Sequence, residues 1–510
     1  MTESTRTPVL ELHGITKRFG DMYANRDISL TLQRGEVLGL LGENGAGKTT
    51  LINILFGHYV ADAGSIRISG QPLESGSPRA ALAAGIGLVH QHFTLASNLT
   101  VLENVIAGTE SIWRLASNKR MAKERLRSLS RQFGLDIDPD MRVARLSVGQ
   151  RQRAEILKSL YRDADILVLD EPTAVLTPAE SLALFETLKR MAHHGLSVIL
   201  ISHKLDEVLR VADRVAVLRA GQLVSERPTA GLQRDALAEL MVGRRVSRPQ
   251  RKPLAAGSPV LQLDRVSVAG TPGLHAASLT VRAREVVAVV GVAGNGQRAL
   301  IDLVCGLAVP ATGTLTRNGR LAKRGDLSGM HRMGVARIPE DRHEEGVVGD
   351  MALWENAILE DLAEPRFVRY GWVRRNAARA HTANLIAAFD IRCQGVNQRT
   401  RLLSGGNMQK LIIGRGLVTA PTLIIACQPV RGLDEGAIAE VHTRLLDARE
   451  RGAGILLITE DLDEAFALAD CIVVMQNGRV SEAIPGPQFD ANQIGLLMLG
   501  EHAPNEKDAS

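Results

Sequence analysis

Short apolar runs alternate with segments of helical periodicity along the chain. The runs EVLGLLG and ILVLDEP in the first half, and VVAVVGVAG in the second, are continuous rather than alternating. Such runs are typical of parallel strands that are covered on both faces. The segment RLRSLSRQFG places Leu126, Leu129 and Phe133 at helical spacing, with basic residues opposite, which we interpret as a solvated helix face. Strands alternating with helices predict an α/β fold.

The pattern is written twice. Gly42 and Gly291 begin similar strings 249 residues apart, whereas the similar strings at Leu146 and Leu403 are 257 residues apart. The second copy therefore carries eight extra residues between Glu340 and Leu403. We predict two domains, residues 8–243 and 259–502, joined by a proline-rich and basic linker at 244–258 and followed by a flexible tail at 503–510.

Composition restricts the class of protein only weakly. Of the 510 residues, 45% are hydrophobic and 23% charged, which is ordinary for a globular chain, and no apolar run is long enough to predict a membrane-spanning helix. The N-terminus has no apolar run of the kind found in a signal peptide. A net charge of +5 is small beside 61 basic and 56 acidic residues, so we predict no nucleic-acid partner. The four cysteines form no C-x-x-C pair and are interpreted as free thiols in a reducing compartment.

A phosphate-binding loop stands near the start of the first copy. The string GLLGENGAGKTT follows a predicted strand and precedes a predicted helix, which is the context that the motif G-x-x-x-x-G-K-[ST] requires. Backbone N–H groups of such a loop surround phosphate oxygens, Lys48 bridges the β- and γ-phosphates, and Thr49 is a ligand of Mg²⁺. The residues predicted to bind ATP here are Gly42, Glu43, Asn44, Gly45, Ala46, Gly47, Lys48, Thr49 and Thr50.

Further polar residues stand where other apolar runs end. Asp170 and Glu171 close ILVLDEP, where Asp170 suits a magnesium site and Glu171 suits a general base for the attacking water. Gln91 is predicted to reach the metal or the water, and His203 to hold the γ-phosphate. The catalytic set is therefore Lys48, Gln91, Glu171 and His203, and the metal set is Thr49, Gln91 and Asp170. His90 and His92 beside Gln91 are interpreted as strand residues rather than as metal ligands.

The string LSVGQ at Leu146–Gln150 adds a signature motif to this set. With the phosphate loop, Gln91, Asp170, Glu171 and His203, it resembles the ATP-binding cassette of ABC transporters, in two copies that cover nearly the whole chain. The resemblance implies two tandem P-loop nucleotide-binding domains, each with a helical subdomain. It also implies that the signature motif of one cassette completes the nucleotide site of the other. Phe19 falls where such cassettes stack an aromatic ring on adenine, although simple core packing is the alternative.

The second copy departs from this pattern at each position that contacts phosphate, metal or water. Gln297 replaces the lysine, and Arg298 replaces the hydroxyl residue; Cys427 and Gln428 replace the two carboxylates, and Glu460 and Glu340 replace His203 and Gln91. Its own signature is intact, with residues Ser404, Gly405, Gly406 and Asn407, and Asp434 stands at a dimer-contact position. The first copy has Val148 within its signature and Thr177 where Asp434 stands. If the cassettes pair head-to-tail, one site is complete and the other is depleted on both sides.

Several strings, among them GLVHQHF, IPEDRHEEGVV and QPVRGLDEGA, resemble the fused double-cassette ATPases of simple-sugar and nucleoside importers. The resemblance implies ATP and Mg²⁺ as cofactors and a peripheral position on the cytoplasmic face of the inner membrane. It also implies two permease subunits and an extracytoplasmic substrate-binding protein as partners, with the cassettes paired within one chain or between two. The alternative is a soluble double-cassette ATPase that acts on ribosomes, which the short linker and the depleted site disfavour. Neither reading names the transported substrate.

Overall fold

The structure is a computed structural model that describes residues 8–90, 93–109, 118–173, 176, 178–202, 204–243, 249–321 and 333–499. The chain divides into two compact units, Met1–Val246 and Ser247–Ser510. In the described parts of the chain, no helix is both long enough and apolar enough to cross a membrane.

The first unit contains two sheets. An antiparallel sheet has the strand order β2–β1–β4–β5, and a mainly parallel sheet has the order β10–β9–β3–β8–β7–β6, with β10 antiparallel at its edge. The strands are β1 (Pro8–Phe19), β2 (Met22–Gln33), β3 (Val37–Leu41), β4 (Ala63–Ile68), β5 (Gln71–Pro72), β6 (Ile86–Val89), β7 (Ile166–Asp170), β8 (Ser197–Ile201), β9 (Arg214–Arg219) and β10 (Gln222–Pro228).

The helices of the first unit cover both faces of the parallel sheet and form a separate cluster. Three of them, α3, α4 and α5, pack on one another and make a helical subdomain. The helices are α1 (Lys48–Leu55), α2 (Pro78–Ala83), α3 (Val101–Ile106), α4 (Lys119–Phe133), α5 (Val148–Tyr161), α6 (Pro178–His193), α7 (Leu205–Val211) and α8 (Arg234–Val242).

Burial along the parallel strands explains their continuous apolar runs. In β3, Val37 and Leu41 join one apolar cluster, while Leu38 and Leu40 join a second cluster on the other face of the sheet. Both faces are therefore covered, and every residue of β3 is buried. On α4 the predicted face is also as expected, because Leu126 and Phe133 are buried while the arginines opposite are exposed.

The second unit repeats this architecture. Its antiparallel sheet has the order β12–β11–β14–β15, and its mainly parallel sheet has the order β16–β19–β20–β13–β21–β22, with β23 paired to β21. The strands are β11 (Pro259–Val268), β12 (Leu274–Arg282), β13 (Val286–Val290), β14 (Thr312–Arg317), β15 (Arg320–Leu321), β16 (Val335–Ile338), β17 (Val368–Arg369), β18 (Trp372–Val373), β19 (Leu423–Cys427), β20 (Gly454–Thr459), β21 (Cys471–Gln476), β22 (Arg479–Val480) and β23 (Ile484–Pro485).

The helices of the second unit also include a packed helical subdomain, made by α10, α11 and α12. The helices are α9 (Gln297–Val304), α10 (Leu353–Ile358), α11 (Arg375–Ala388), α12 (Gly405–Leu417), α13 (Glu435–Glu450), α14 (Leu462–Leu468) and α15 (Ala491–Leu499). A short π-helix occupies Arg342–Gly346. The predicted fold class, two tandem α/β cassettes with helical subdomains, is confirmed.

The two helical subdomains differ in one connection. Residues 107–118 join α3 to α4 in the first unit, whereas residues 359–374 join α10 to α11 in the second and are four residues longer. The longer connection contains the hairpin β17–β18. Part of the eight-residue difference between the copies is therefore located here.

The segment after residue 248 was expected to belong to an exposed linker. Most of residues 249–258 are exposed, but Arg251 is half-buried and pairs with Asp470 at 2.8 Å. The buried guanidinium of Arg449 donates to the carbonyl oxygen of Lys252. This part of the segment is therefore attached to the second unit.

Candidate nucleotide sites

The loop between β3 and α1 has the shape that a phosphate site requires. Gly47 has φ 100° and precedes the helix, and a Cβ atom there would collide with the carbonyl oxygen of Ala24. Asn25, fully buried, donates from Nδ2 to the Gly47 carbonyl at 3.1 Å and fixes the turn. No side chain caps the start of α1, so its first N–H groups face the loop, where phosphate oxygens bind in such motifs.

Lys48 is held inside this loop. Its Nζ donates to the carbonyl oxygens of Gly42 at 2.6 Å and Glu43 at 3.0 Å, and the side chain is almost fully buried. Thr49, the next residue, is exposed. The predicted phosphate ligand and the predicted metal ligand therefore stand side by side at the start of α1.

Asp170 and Glu171 lie at the end of β7. Burial and the adjacent Glu171 charge raise the pKa of the Asp170 carboxyl, while the charges of Lys48 and His90 oppose that shift. Glu171 has φ 47°, and its N–H donates to the carbonyl oxygen of Ile201 on β8 at 2.9 Å. A non-glycine residue at positive φ is uncommon, and this conformation fixes the direction in which the Glu171 side chain leaves the strand.

A third carboxylate, which the sequence reading missed, organises the segment after β8. Glu207 accepts hydrogen bonds from the hydroxyls of Thr173 and Ser202, and the Ser202 hydroxyl in turn accepts from the N–H of Lys204. His203 itself, like Gln91 and Thr177, lies outside the described residues. Glu464, which stands 257 residues later, accepts the corresponding hydrogen bond from the Thr459 hydroxyl, so the repeat matches the two carboxylates although the sequence does not show their bonds.

Phe19 ends β1 and is 45% exposed, so it is not simple core packing. Its ring meets the ring of Tyr59 edge-to-face, with centroids 5.6 Å apart, and Lys17 Nζ lies 5.6 Å from its centroid. Tyr59, which the sequence reading did not select, is also partly exposed. Two neighbouring aromatic side chains that are this exposed suit stacking on a purine base.

The two signature serines share one structural role. Ser147 is the N-cap of α5 and forms a reciprocal capping box with Gln150. Ser404 is the N-cap of α12, and Asn407 Nδ2 donates to its Oγ at 2.8 Å. Gly405 and Gly406 form the first turn of α12, and the Asn407 Oδ1 accepts from the N–H of Arg392. Each serine thus fixes the start of a helix whose N–H groups point outward.

In the second unit, the equivalent loop is closed by its own side chains. Gln297 Nε2 donates to the Val292 carbonyl at 2.9 Å, while Gln297 Oε1 accepts from the N–H of Asn295 at 2.9 Å. Asn295 Nδ2 also donates to the Val292 carbonyl. A neutral amide therefore makes hydrogen bonds inside the loop, and one backbone N–H of the loop is already used.

Charge in the second site is paired within the protein. The Arg298 guanidinium contacts Glu345 and lies 3.1 Å from Asp302, and Arg337 contacts Glu345 from the other side. Arg431 pairs with Glu340. Burial raises the pKa of Glu460, and the Arg431 charge opposes that shift. Burial also raises the pKa of the Cys427 thiol.

The second site nevertheless keeps a cavity and the backbone geometry of the first. The cavity has a volume of about 370 Å³ and reaches from Val268 to Gln297, Cys427 and Glu460. Among the described residues, its lining includes no aromatic side chain, so the equivalent of Phe19 is missing as well. Gln428 has φ 46°, and its N–H donates to the Ile458 carbonyl at 2.8 Å, which matches Glu171.

Comparison with known proteins identifies the family. The family model described as "ABC transporter" matches residues 25–174 and again residues 274–431. The chain belongs to the ABC transporter family. It is an ATPase whose activity is coupled to substrate transport, and its two cassettes are ATP-binding domains.

Curated relatives match this ABC transporter protein over nearly its full length. It is 43% identical to the glucose import ATP-binding protein TsgD13 of Haloferax volcanii, over 97% of this chain and 96% of that protein. It is 41% identical to the guanosine import ATP-binding protein NupO of Bacillus subtilis, over 96% of this chain and 97% of that one. The nucleoside import ATP-binding protein NupA of Lactococcus lactis is 40% identical, over 96% of this chain and 98% of that protein.

Solved structures agree on the fold. The crystal structure of archaeal ribosome recycling factor aABCE1 in complex with ribosomal stalk protein aP1 aligns with a TM-score of 0.62 and 17% identity, over 92% of this chain and 90% of that one. At that identity the likeness establishes the double-cassette fold alone.

Proposed function

We propose that the protein is the ATP-hydrolysing subunit of an importer for nucleosides or simple sugars, with one complete and one depleted nucleotide site. One observation carries the contrast between the two sites, and the relatives carry the importer class. Glu171 and Gln428 have the same positive φ and the same N–H bond to the neighbouring strand, yet only the first is a base. The relatives import glucose, guanosine or nucleosides according to their names, and this mixture supports both substrate classes.

In the complete site, each residue of the first unit has a defined task. Lys48 moves its Nζ from the Gly42 and Glu43 carbonyls to the β- and γ-phosphates. Glu171, aimed by its backbone, accepts the proton of the attacking water, while Gln91 and His203 orient water and γ-phosphate. Phe19 stacks on the adenine, with Tyr59 supporting its edge.

The donor set of this site fits Mg²⁺. Asp170 and Thr49 would hold the ion through oxygen atoms, which are the donors that Mg²⁺ prefers. The raised pKa of Asp170 points the same way, because a carboxylate buried beside a second carboxylate is stabilised by a cation. When bound, Mg²⁺ neutralises charge on the phosphates.

We further propose that Ser404, Gly405, Gly406 and Asn407 complete this site from the opposite cassette, in the same chain or a second one. The N-terminus of α12 presents N–H groups that suit a γ-phosphate, and Ser404 holds that terminus in shape. Asp434 is the N-cap of α13, and Ala437 in the first turn of that helix lies close to Gly406 of the signature. The complementary pairing joins Ser147 and Val148 to the depleted site, where Gln297 and Arg298 are already bonded within the protein.

The proposed partners are two permease subunits and an extracytoplasmic substrate-binding protein, with this chain peripheral on the cytoplasmic face of the inner membrane. A groove of about 240 Å³ lies beside β6 and includes His90 in its lining. Buried Glu155 accepts from the N–H and hydroxyl of Thr94 in this groove, and Lys158 donates to the same hydroxyl. We propose that a permease segment binds in this groove.

The decisive experiment exchanges the two signature serines for arginine. Ser404→Arg is expected to lower ATP hydrolysis and substrate uptake at least about a hundredfold, because a bulky cation displaces the γ-phosphate or prevents closure. Ser147→Arg is the matched control, since both changes remove an N-cap worth about 1 kcal/mol. Its loss is expected to be less than about tenfold. Both rates are measured in the assembled transporter at equal expression.

Equal losses in the two variants would show that the second site is needed for turnover. A larger loss for Ser147→Arg would show that each cassette completes its own site, and the head-to-tail pairing would be wrong. The ribosomal alternative has its own readout: co-purification of the chain with ribosomes rather than with membrane proteins rejects the importer assignment.

A further inference from the structure

The hairpin β17–β18 in the second unit exposes an unusual set of side chains. Tyr370 is 87% exposed and Trp372 is 80% exposed, the two largest values among the exposed large hydrophobic residues in the described part of the chain. Residues 362–375, LAEPRFVRYGWVRR, carry four arginines against one glutamate. This combination has no use in the nucleotide chemistry described above.

The turn of the hairpin is built at a conformational cost. Tyr370 has φ 52° and Gly371 has φ 80°, which is the pattern of a two-residue type I′ turn. Asn, Asp and Gly favour the first of these positions, and a bulky aromatic residue is uncommon there. Because the Tyr370 ring is exposed, packing within the chain does not offset this cost, and a role outside the chain is indicated.

The hairpin is a fixed platform. Phe367, directly before β17, is buried in a small apolar cluster with Trp354, Ile358 and Ala378. The N–H of Arg374, directly after β18, donates to the Phe367 carbonyl at 2.7 Å and closes the base of the hairpin. The aromatic tip is therefore presented by an anchored element.

The positive charge of the hairpin is partly neutralised at its base and open near its tip. Arg366 pairs with Asp361 and Glu364. Within the described residues, no carboxylate pairs with Arg369, Arg374 or Arg375, and all three are exposed. Arg369 lies over the Tyr370 ring, 5.2 Å from its centroid. The surface formed by Arg369, Tyr370, Trp372, Arg374 and Arg375 is therefore cationic and aromatic together.

We propose that this surface docks on the anionic phospholipid headgroups of the membrane. Tryptophan and tyrosine side chains favour the bilayer–water interface, where an apolar ring and a polar edge are both accommodated, and arginines beside them are attracted to anionic headgroups. The chain is an ATPase coupled to transport, so a bilayer surface is available to it. The proposal concerns how the second unit meets the bilayer, and it goes beyond the proposed nucleotide chemistry.

The test uses the purified full-length chain and vesicles of phosphatidylcholine with or without one third phosphatidylglycerol. Sedimentation is expected to show binding at least about tenfold stronger to the anionic vesicles, and this preference is expected to fall as salt rises. The triple change Arg369→Gln, Arg374→Gln and Arg375→Gln is expected to weaken binding about a hundredfold, at about fivefold for each arginine. The matched control changes Arg120, Arg127 and Arg131 to Gln on α4, whose own residues Lys119–Phe133 include no exposed aromatic ring among those that the structure describes.

A second variant separates the aromatic contribution from folding. Tyr370→Asn with Trp372→Thr is expected to weaken binding about tenfold without lowering the melting temperature, because Asn suits the positive φ of the turn. Acrylamide quenching adds a local readout. Anionic vesicles are expected to protect part of the tryptophan fluorescence from acrylamide, and this protected part is expected to be absent in Trp372→Phe.

Equal binding to neutral and anionic vesicles would overturn the proposal, as would equal losses in the α4 control. Binding of a single-stranded RNA oligonucleotide at this surface, with no vesicle binding, would assign the hairpin to nucleic acid instead. Shielding of Trp372 by permease subunits in lipid-free detergent would assign it to a protein contact. None of these variants touches the nucleotide sites, so ATP hydrolysis by the same samples tests the proposed function separately.

Discussion

The two phosphate loops of this protein have similar backbones, but the side chain at the centre of the first is a cation and that of the second is a neutral amide. In the first loop, a lysine ammonium donates to two carbonyl oxygens of the loop, and no side chain caps the helix that follows. In the second, the Gln297 amide both donates to Val292 and accepts from Asn295. A cation that can turn to phosphate has been replaced by a group whose bonds are satisfied within the loop. The second loop is thus held by internal hydrogen bonds of an amide at the position where the first has a lysine.

The largest expected effect comes from placing in the first site the glutamine that the second site has at the corresponding position. Glu171→Gln is expected to lower ATP hydrolysis by roughly 10²–10⁴-fold with ATP binding retained, because the amide cannot accept the proton of water. The reciprocal change Gln428→Glu is the control and is expected to leave the rate unchanged. Hydrolysis within about threefold of wild type in Glu171→Gln would exclude Glu171 as the base.

A smaller effect, on ATP affinity, is expected from replacing the lysine of the first loop with the glutamine of the second. Lys48→Gln removes a charge-assisted hydrogen bond to phosphate, and ATP affinity is expected to fall by roughly 10–100-fold. Gln297→Lys tests the other direction. It is expected to leave the number of nucleotides bound per chain unchanged, since Cys427 and Arg298 still stand where a metal site is needed. Equilibrium binding of a labelled ATP measures both, and undiminished affinity in Lys48→Gln would reject the assigned role of the lysine.

The buried carboxylate of Asp170 is expected to lower the stability of the nucleotide-free chain at neutral pH. Burial and Glu171 raise the pKa of Asp170, so its contribution to stability is present below the pKa of the unfolded chain and lost as pH rises through the folded pKa. Asp170→Asn is therefore expected to raise the melting temperature of the nucleotide-free chain at pH 7, with a gain that shrinks towards pH 4. Asp264→Asn, at an exposed carboxylate, is the control. A lower melting temperature at pH 7 would contradict this account.

The smallest effect is expected at the Arg298–Glu345 pair of the second site. The Arg298 side chain is 64% exposed, and exposed ion pairs contribute about 0–1 kcal/mol. Arg298→Ala is therefore expected to change the melting temperature by no more than about 3 °C. A larger loss would show that this pair, rather than the hydrogen bonds of Gln297, holds the second site in shape.

Most of the fold could be predicted from the sequence, because buried parallel strands leave continuous apolar runs. EVLGLLG and ILVLDEP became β3 and β7, and the repeat implied that one unit would resemble the other. The hairpin β17–β18 was not predicted, since its strands have two residues each and its turn uses Tyr370 where Asn or Gly is the usual signal. The length difference between the copies showed that extra residues lie between Glu340 and Leu403, but it did not show that they include a hairpin.

The candidate sites were only partly accessible to sequence reasoning. Motif positions such as Lys48 and Asp170 are readable, because their chemistry depends on residue type. Glu207 and Tyr59 were missed, since their roles depend on contacts between residues far apart in sequence, to Thr173 and Phe19 respectively. The hydrogen bonds within the second loop were also not predicted. Glutamine at position 297 shows that a cation is missing, but the sequence does not show which bonds the amide makes.

The capping role of the signature serines has a consequence for how this protein can diverge. Ser147 and Ser404 each begin a helix, so folding selects for a serine at both positions whether or not nucleotide is turned over there. The position after Ser147 is different, because Val148 is exposed at the first helical residue and no fold constraint fixes it. In related proteins, serine is therefore expected at both positions, whereas the residue that corresponds to Val148 is expected to vary.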